Sequence, residues 1–334
     1  MKRRELITLV ALSIVLVIAV HIYSLLFIPA STDKSSRIVE IPQGVSFRVV
    51  TNILIKNGII RDARGMDLLA WLTGSYRSVK AGEYELSPSM SAYQVLDVLV
   101  KGRVKEYVVT FPEGYNIKEI ARTLARRGLV DEEEFIKKAM SREFARSLGL
   151  PGPTLEGYLF PDTYRFTKNM GVEGIIRKMA ERFKTIYNSE LKELARKRGM
   201  TMKEVVTLAS IIEKEAGSRA EMRDISAVFH NRLKKGYRLE SDPTVIYGIP
   251  DFDGNLTRKH LRTWTPYNTY LIYGLPPGPI ASPGRDALRA ALDPSPSDYL
   301  YFVSKNDGTH HFSRTLREHN MAVERYQKGL VKRR

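Results

Sequence analysis

The 334-residue chain contains no cysteine. That excludes a thiol nucleophile, a cysteine-ligated zinc and any disulfide, and it leaves the compartment open. The chain also lacks a glycine-serine-glycine elbow, a phosphate-binding loop and a zincin helix, so those chemistries have no local support. Ser31 and Lys34 form a serine-x-x-lysine pair, but the companion motifs that give this pattern meaning in penicillin-binding enzymes are missing. His310, His311 and His319 show no helical ligand spacing, and neither a metal nor another cofactor is expected. Acidic residues are scarce beside basic ones, 37 against 53, which sets the net charge at +16. With no zinc finger, RNA-recognition signature or long basic block, the excess does not point to nucleic acid. Attraction to anionic lipid headgroups or an anionic wall polymer fits it better, and a plain solvated surface would also account for it.

What is present begins at the N-terminus. Residues 6–28, LITLVALSIVLVIAVHIYSLLFI, hold His21 as their one readily ionisable side chain. As a helix they would reach roughly 34 Å, enough for a hydrocarbon core of about 30 Å. A secretory signal has a shorter apolar region and a small-x-small cleavage site, and FIPAS is a poor one, so the reading is an uncleaved anchor. Lys2, Arg3 and Arg4 place residues 1–5 in the cytoplasm and the body outside. Residues 29–38 read as a short polar linker.

Beyond it lies a repeat. Pro42, Gly44, Leu54 and Gly58 match Pro112, Gly114, Leu124 and Gly128 at one offset. Tyr84, Met90 and Val95 match Tyr164, Met170 and Ile175 at an offset ten residues longer, with the extra residues placed around SREFARSLGLPGP. Each copy reads strand, turn, helix, helix, strand, helix, and two copies are too few for a solenoid. The first copy, 39–105, loosely resembles a LysM-type module over about residues 39–86, a fold that binds N-acetylglucosamine polymers; a structural spacer is the plainer reading. The second copy covers about 106–185.

The segment MTMKEVVTLASIIEKEAG predicts a helix between Gly199 and Gly217. At 100° per residue, Glu213 shares a stripe with Met202, Val206, Ala209 and Ala216. Glu215 lies across the helix, beside Glu204, Leu208 and Ile211. A carboxylate among apolar neighbours loses solvation, its pKa rises, and it can hold a proton near neutral pH as a general acid must. Two glutamates reaching solvent at a helix edge would satisfy the same pattern, so this stretch alone leaves the choice open, favouring Glu213 if one of them is functional. Farther on, residues 274–284 crowd Pro and Gly into successive turns, and Trp264, Tyr267, Tyr270 and Tyr273 offer flat faces to a sugar ring or to ordinary packing.

LEGYLFPDTY, LASIIEKEAG, RLESDPTVIYG, PYNTYLIYGLPPGPIASPG and HHFSRTLREHN, in this order, resemble the YceG-like family of membrane-anchored endolytic murein transglycosylases. The likeness covers nearly all of the chain after the linker; Trp264 and Thr265 depart from it. It implies an α+β fold with a LysM-like module followed by a catalytic domain over 106–334, its core at about 200–330. It implies that Glu213 is catalytic, the substrate is the peptidoglycan glycan strand, and the partners are the membrane and peptidoglycan synthases. Asp242, Thr244, Asn268 and Tyr270 are candidates for holding sugars; equally, all four could brace loops. The rivals are a muramidase pairing Glu213 with Asp242 or Glu156, and a wall-binding scaffold without turnover.

Overall fold

The computed structural model describes residues 3–328. Met1 and Lys2 of the expected cytoplasmic tail, and the last residues of the expected catalytic domain, lie outside that range. The fold is mixed α and β, with three separate two-stranded sheets and many helices among the described residues. The chain divides into two units, one of Met1–Val108 with Arg165–Met170, the other of Val109–Tyr164 with Gly171–Arg334.

The first unit opens with helix α1 (Arg3–Phe27), whose Arg4–Phe27 stretch has a mean hydropathy of 2.6 and is long and apolar enough to cross a membrane. Next come β1 (Arg37–Ile41), α2 (Phe47–Lys56), α3 (Arg64–Thr73), β2 (Gly82–Leu86) and α4 (Ala92–Lys101). β1 and β2 pair antiparallel, with Arg37 opposite Leu86 and Ile41 opposite Gly82. The alternation along β1 puts Val39 and Ile41 inward, where they meet Val50 and Leu54 of α2, Met66 and Leu69 of α3, and Val95 and Leu99 of α4. Ser91 and Gln94 close a capping box at the start of α4, and left-handed Gly102 ends it.

The short polar linker is bonded to this unit. The Ser31 N–H donates to the Pro88 carbonyl at 3.0 Å, and the Ser87 hydroxyl donates to the Asp33 carbonyl at 3.0 Å. A polar composition signals a loop, but it does not say whether the loop's backbone groups find partners in water or in protein.

The chain continues through β3 (Tyr107–Thr110), α5 (Ile117–Arg126), α6 (Glu132–Ala139), α7 (Arg142–Ser147), β4 (Thr163–Phe166) and α8 (Gly171–Ile186), with β3 paired to β4. The strand–helix–helix–strand–helix order thus recurs, and α7 falls within the stretch that the first copy lacks. Gly44 and Gly114 both take positive φ, 77° and 81°, as the turn after each first strand requires.

The remainder of the second unit is built around one buried helix. After α9 (Ser189–Arg198) comes α10 (Met202–Glu215), opened by a Thr201–Glu204 capping box. Val205 through Ile212 are all buried, because α11 (Met222–Lys234), α12 (Asp242–Tyr247) and α14 (Arg285–Leu292) pack around it. α13 (Arg258–Arg262) stands between α12 and α14 in the chain. An antiparallel hairpin of β5 (Tyr301–Ser304) and β6 (His310–Ser313) leads to α15 (Leu316–Val323).

Candidate active site

The Pro-Gly-rich segment 274–284 runs along one face of α10 and is tied to it at matched intervals. The Ile280 N–H donates to the Ser210 hydroxyl at 3.1 Å, and the Gly284 N–H donates to Glu213 Oε2 at 2.9 Å. Residues 210 and 213 are neighbours on a helix face, and the loop supplies a donor to each. The same loop meets the turn after β3: the Ser282 N–H donates to the Tyr115 carbonyl at 2.7 Å, and the Gly114 N–H to the Ser282 carbonyl at 2.9 Å. Lys214 Nζ reaches the Gly114 carbonyl at 3.3 Å. Three distant pieces of chain therefore converge on Glu213.

Glycines stand where they meet. A Cβ at Gly284 would collide with the Glu113 carboxylate, and one at Gly114 would stand 3.6 Å from Glu213 Cγ. At Gly157, in the LEGY motif, a Cβ would press on Pro279 and, at 2.8 Å, on Val206 Cγ1 of α10.

Glu213 is half-buried in the last turn of α10. Burial pushes its carboxyl above the usual range, and the negative charges of Glu113 and Asp286 push the same way; the Gly284 N–H and the Arg219 guanidinium pull it back. Arg219 ties the flanking acids together, at 2.9 Å to Glu113 and 3.4 Å to Asp286. Among the described residues no group hydrogen bonds to Glu213 Oε1, so one oxygen is held and the other is free for an incoming group.

Glu215, across the helix, is half-buried as well. Its Oε1 accepts the Ser241 hydroxyl at 2.5 Å, and burial raises its carboxyl to about 7. Glu156 is enclosed further: it is 2 % exposed, accepts the Ile117 N–H at 3.1 Å and the Tyr247 hydroxyl at 3.1 Å, and is raised by burial to about 7.

The four candidate sugar-binding residues divide. Thr244 and Asn268 are both 0 % exposed. The Thr244 hydroxyl donates to the Ser241 carbonyl at 2.6 Å and pairs with Thr269 at 2.8 Å. Asn268 Nδ2 donates to the carbonyls of His260, Leu261 and Thr263, and its Oδ1 accepts the Tyr270 N–H. In this structure both brace loops, because buried backbone carbonyls need donors. Asp242 and Tyr270 join at 2.7 Å, the phenol donating, and burial with the Asp242 charge holds the phenol far above its usual range. Sequence reasoning passed over Glu113, Arg219 and Gly284. The one signal was that Glu113 stands where the first repeat copy has Gln43, a carboxylate added to an otherwise matching turn.

Residues 39–325 match the profile of the YceG-like family. An endolytic murein transglycosylase of Bacillus subtilis (strain 168) is 33% identical over 318 residues, which cover 89% of this chain and 87% of that protein. The protein of the same description from Streptococcus pneumoniae (strain R6) is 29% identical over 335 residues, and the match spans 60% of its greater length. A crystal structure of a yceG-like protein from Listeria monocytogenes superposes with a TM-score of 0.60 at 34% identity, covering 86% of this chain and 99% of that one.

Proposed function

This chain belongs to the YceG-like family, and from that membership we propose that it is a membrane-anchored endolytic lytic transglycosylase acting on peptidoglycan glycan strands. The observation that carries the reading is Glu213: a half-buried carboxyl raised by burial and by neighbouring acids, with one oxygen fixed by Gly284 and the other free.

The chemistry follows from that setting. Protonated Glu213 donates to the glycosidic oxygen between N-acetylmuramic acid and N-acetylglucosamine as that bond breaks, and an oxocarbenium-like centre develops. The carboxylate left behind then takes the proton of the muramic C6 hydroxyl, whose oxygen closes a 1,6-anhydro ring. Proton and bond counts balance with no water consumed. The negative charge of Glu113 and Asp286 favours both the protonated acid and the cationic centre. Strands cut internally in this way end in capped termini that a synthase working on the same strand does not extend.

A second reading has one observation in its favour. Glu113 is a carboxylate beside the same Gly284 that holds Glu213, so a muramidase would pair these two. Asp242 is engaged by Tyr270, and Glu156 is closed off by Ile117 and Tyr247.

In the first unit, the order β1-α2-α3-β2 and a cavity of about 1030 Å³ bordered by Pro42, Gly44, Phe47, Tyr76 and Ala81 support a LysM-like glycan-binding role for 39–105. The apolar length of α1 supports a single span, and Lys2, Arg3 and Arg4 before it favour an N-terminus in the cytoplasm with the body outside.

The test is a digest of purified glycan strands by the full chain in detergent. Glu213→Gln keeps the shape and loses the titratable proton, so cleavage falls at least about a hundredfold. Glu215→Gln retains most activity. An equal loss in both folded variants sinks the assignment of Glu213 as the single acid.

A further inference from the structure

The end of the apolar helix is built into the first unit. Leu26 is 7 % exposed and belongs to that unit's core. A Cβ at Gly65 would collide with the Leu25 carbonyl, so α3 lies directly on the last turn of α1. The chain leaving α1 is bonded at once, with Arg61 Nε donating to the Ala30 carbonyl at 3.2 Å and the Ser31 N–H to Pro88. Only about 120 Å³ of space remains where these pieces meet. No slack separates the helix from the unit.

The surface around this junction has a composition of its own. The Phe27 ring lies 5.2 Å from Tyr23 and 5.9 Å from Tyr93 of α4, and Phe27 and Tyr93 are 45% and 50% exposed. Aromatic rings with polar tips collect where hydrocarbon gives way to headgroups. On the loop before α3, Arg61 and Asp62 border the same small space as Ser24 and Leu25 of α1. That loop therefore lies alongside the last turn of α1, roughly 5 Å before its end at Phe27.

This creates a conflict of lengths. From Leu6 to Tyr23 the helix offers about 27 Å, short of a hydrocarbon core of about 30 Å. A full span carries the hydrocarbon edge past Tyr23, to the level of the charged Arg61–Arg64 loop. Arginines at such an edge extend their guanidinium groups to lipid phosphates, and local thinning of the bilayer takes up the rest.

We propose that α1 and the first unit form one membrane-seated body, whose rim (Tyr93 and the Arg61–Arg64 loop) lies in the headgroup layer of the outer leaflet against phospholipid phosphates. This rests on the reading of α1 as a membrane span. It makes the unit a fixed fitting on the bilayer surface and not a domain on a tether.

The absence of cysteine makes the test direct, since every introduced thiol is unique. The full chain is reconstituted in phosphatidylethanolamine–phosphatidylglycerol vesicles with a nitroxide at Val15→Cys, Tyr93→Cys or Arg64→Cys. Depth is read from collisions with oxygen against a water-soluble nickel chelate. The label at 15 reads as deep hydrocarbon, and those at 93 and 64 read at headgroup depth. A deep label at 15 with bulk-water values at both 93 and 64 overturns the seating and leaves the span intact. Free collision of nickel with the label at 15 removes the span, and this proposal with it.

Discussion

Glu113 lies against Gly284: a Cβ at residue 284 would overlap the Glu113 carboxylate, so that carboxylate would have to move. Gly284 has φ −75° and ψ 175°, an extended backbone open to any residue, so the glycine serves space and not conformation. Gly284→Ala should therefore displace Glu113 and disturb the N–H held by Glu213, cutting glycan cleavage about tenfold or more. Glu113→Ala in the same chain should restore the melting temperature. A Gly284→Ala variant equal to the parent in both activity and melting would show the contact to be irrelevant.

The acids and the arginine around Glu213 predict opposite shifts in the pH profile. A general acid works while protonated, so activity is lost as pH rises through the pKa of Glu213. Glu113→Gln removes a charge that raises that pKa, and the alkaline limb should move to lower pH. Arg219→Gln removes a charge that lowers it, and frees Glu113 as well, so the limb should move to higher pH. Asp286 and Lys214 remain in both variants, which makes the comparison internal. Shifts of the same sign in the two variants would contradict the electrostatic account.

Much of this site could be read before the fold was known. The limits of α10 follow from Gly199 and Gly217 beyond its ends, and the repeat follows from matched Pro, Gly and apolar positions. The surroundings of the two glutamates do not follow, because periodicity names a face without saying what covers it. Glu215 has Ser241 over it, and Glu213 has a loop from beyond residue 273 and a turn from before α5. Thr244 and Asn268 stood open between sugar contact and loop bracing for a related reason. Polar residues in turn-rich segments look like ligand contacts, yet loops that fold inward spend the same side chains on their own carbonyls.

Asn268 should accordingly matter for stability. Its amide serves three backbone carbonyls, and Asn268→Ala leaves buried acceptors without partners, a cost on the order of 1–3 kcal/mol. Denaturant unfolding measures it. A loss of sugar affinity with unchanged stability would return Asn268 to the substrate site.

Buried Glu156 predicts a pH-dependent stability of definite sign. Its folded value of about 7 lies above the ordinary 4.5, so its contribution is complete below the unfolded value and is lost as pH rises through 7. The full difference is on the order of 3 kcal/mol. Between pH 5 and 8, Glu156→Gln should lose less stability than the parent, with Glu215 supplying a similar slope in both. Parallel melting curves for parent and variant would contradict this.

The central claim is that Glu213 directs an internal sugar hydroxyl, and not water, to the cleaved bond. Mass analysis of the products from purified glycan strands, before and after borohydride, tests it most directly. Fragments cut from strand interiors should end in 1,6-anhydro-N-acetylmuramic acid, one water lighter than hydrolysis products and unchanged by reduction. Predominantly reducible ends would contradict the transglycosylase account and make Glu113 the hydrolytic partner of Glu213.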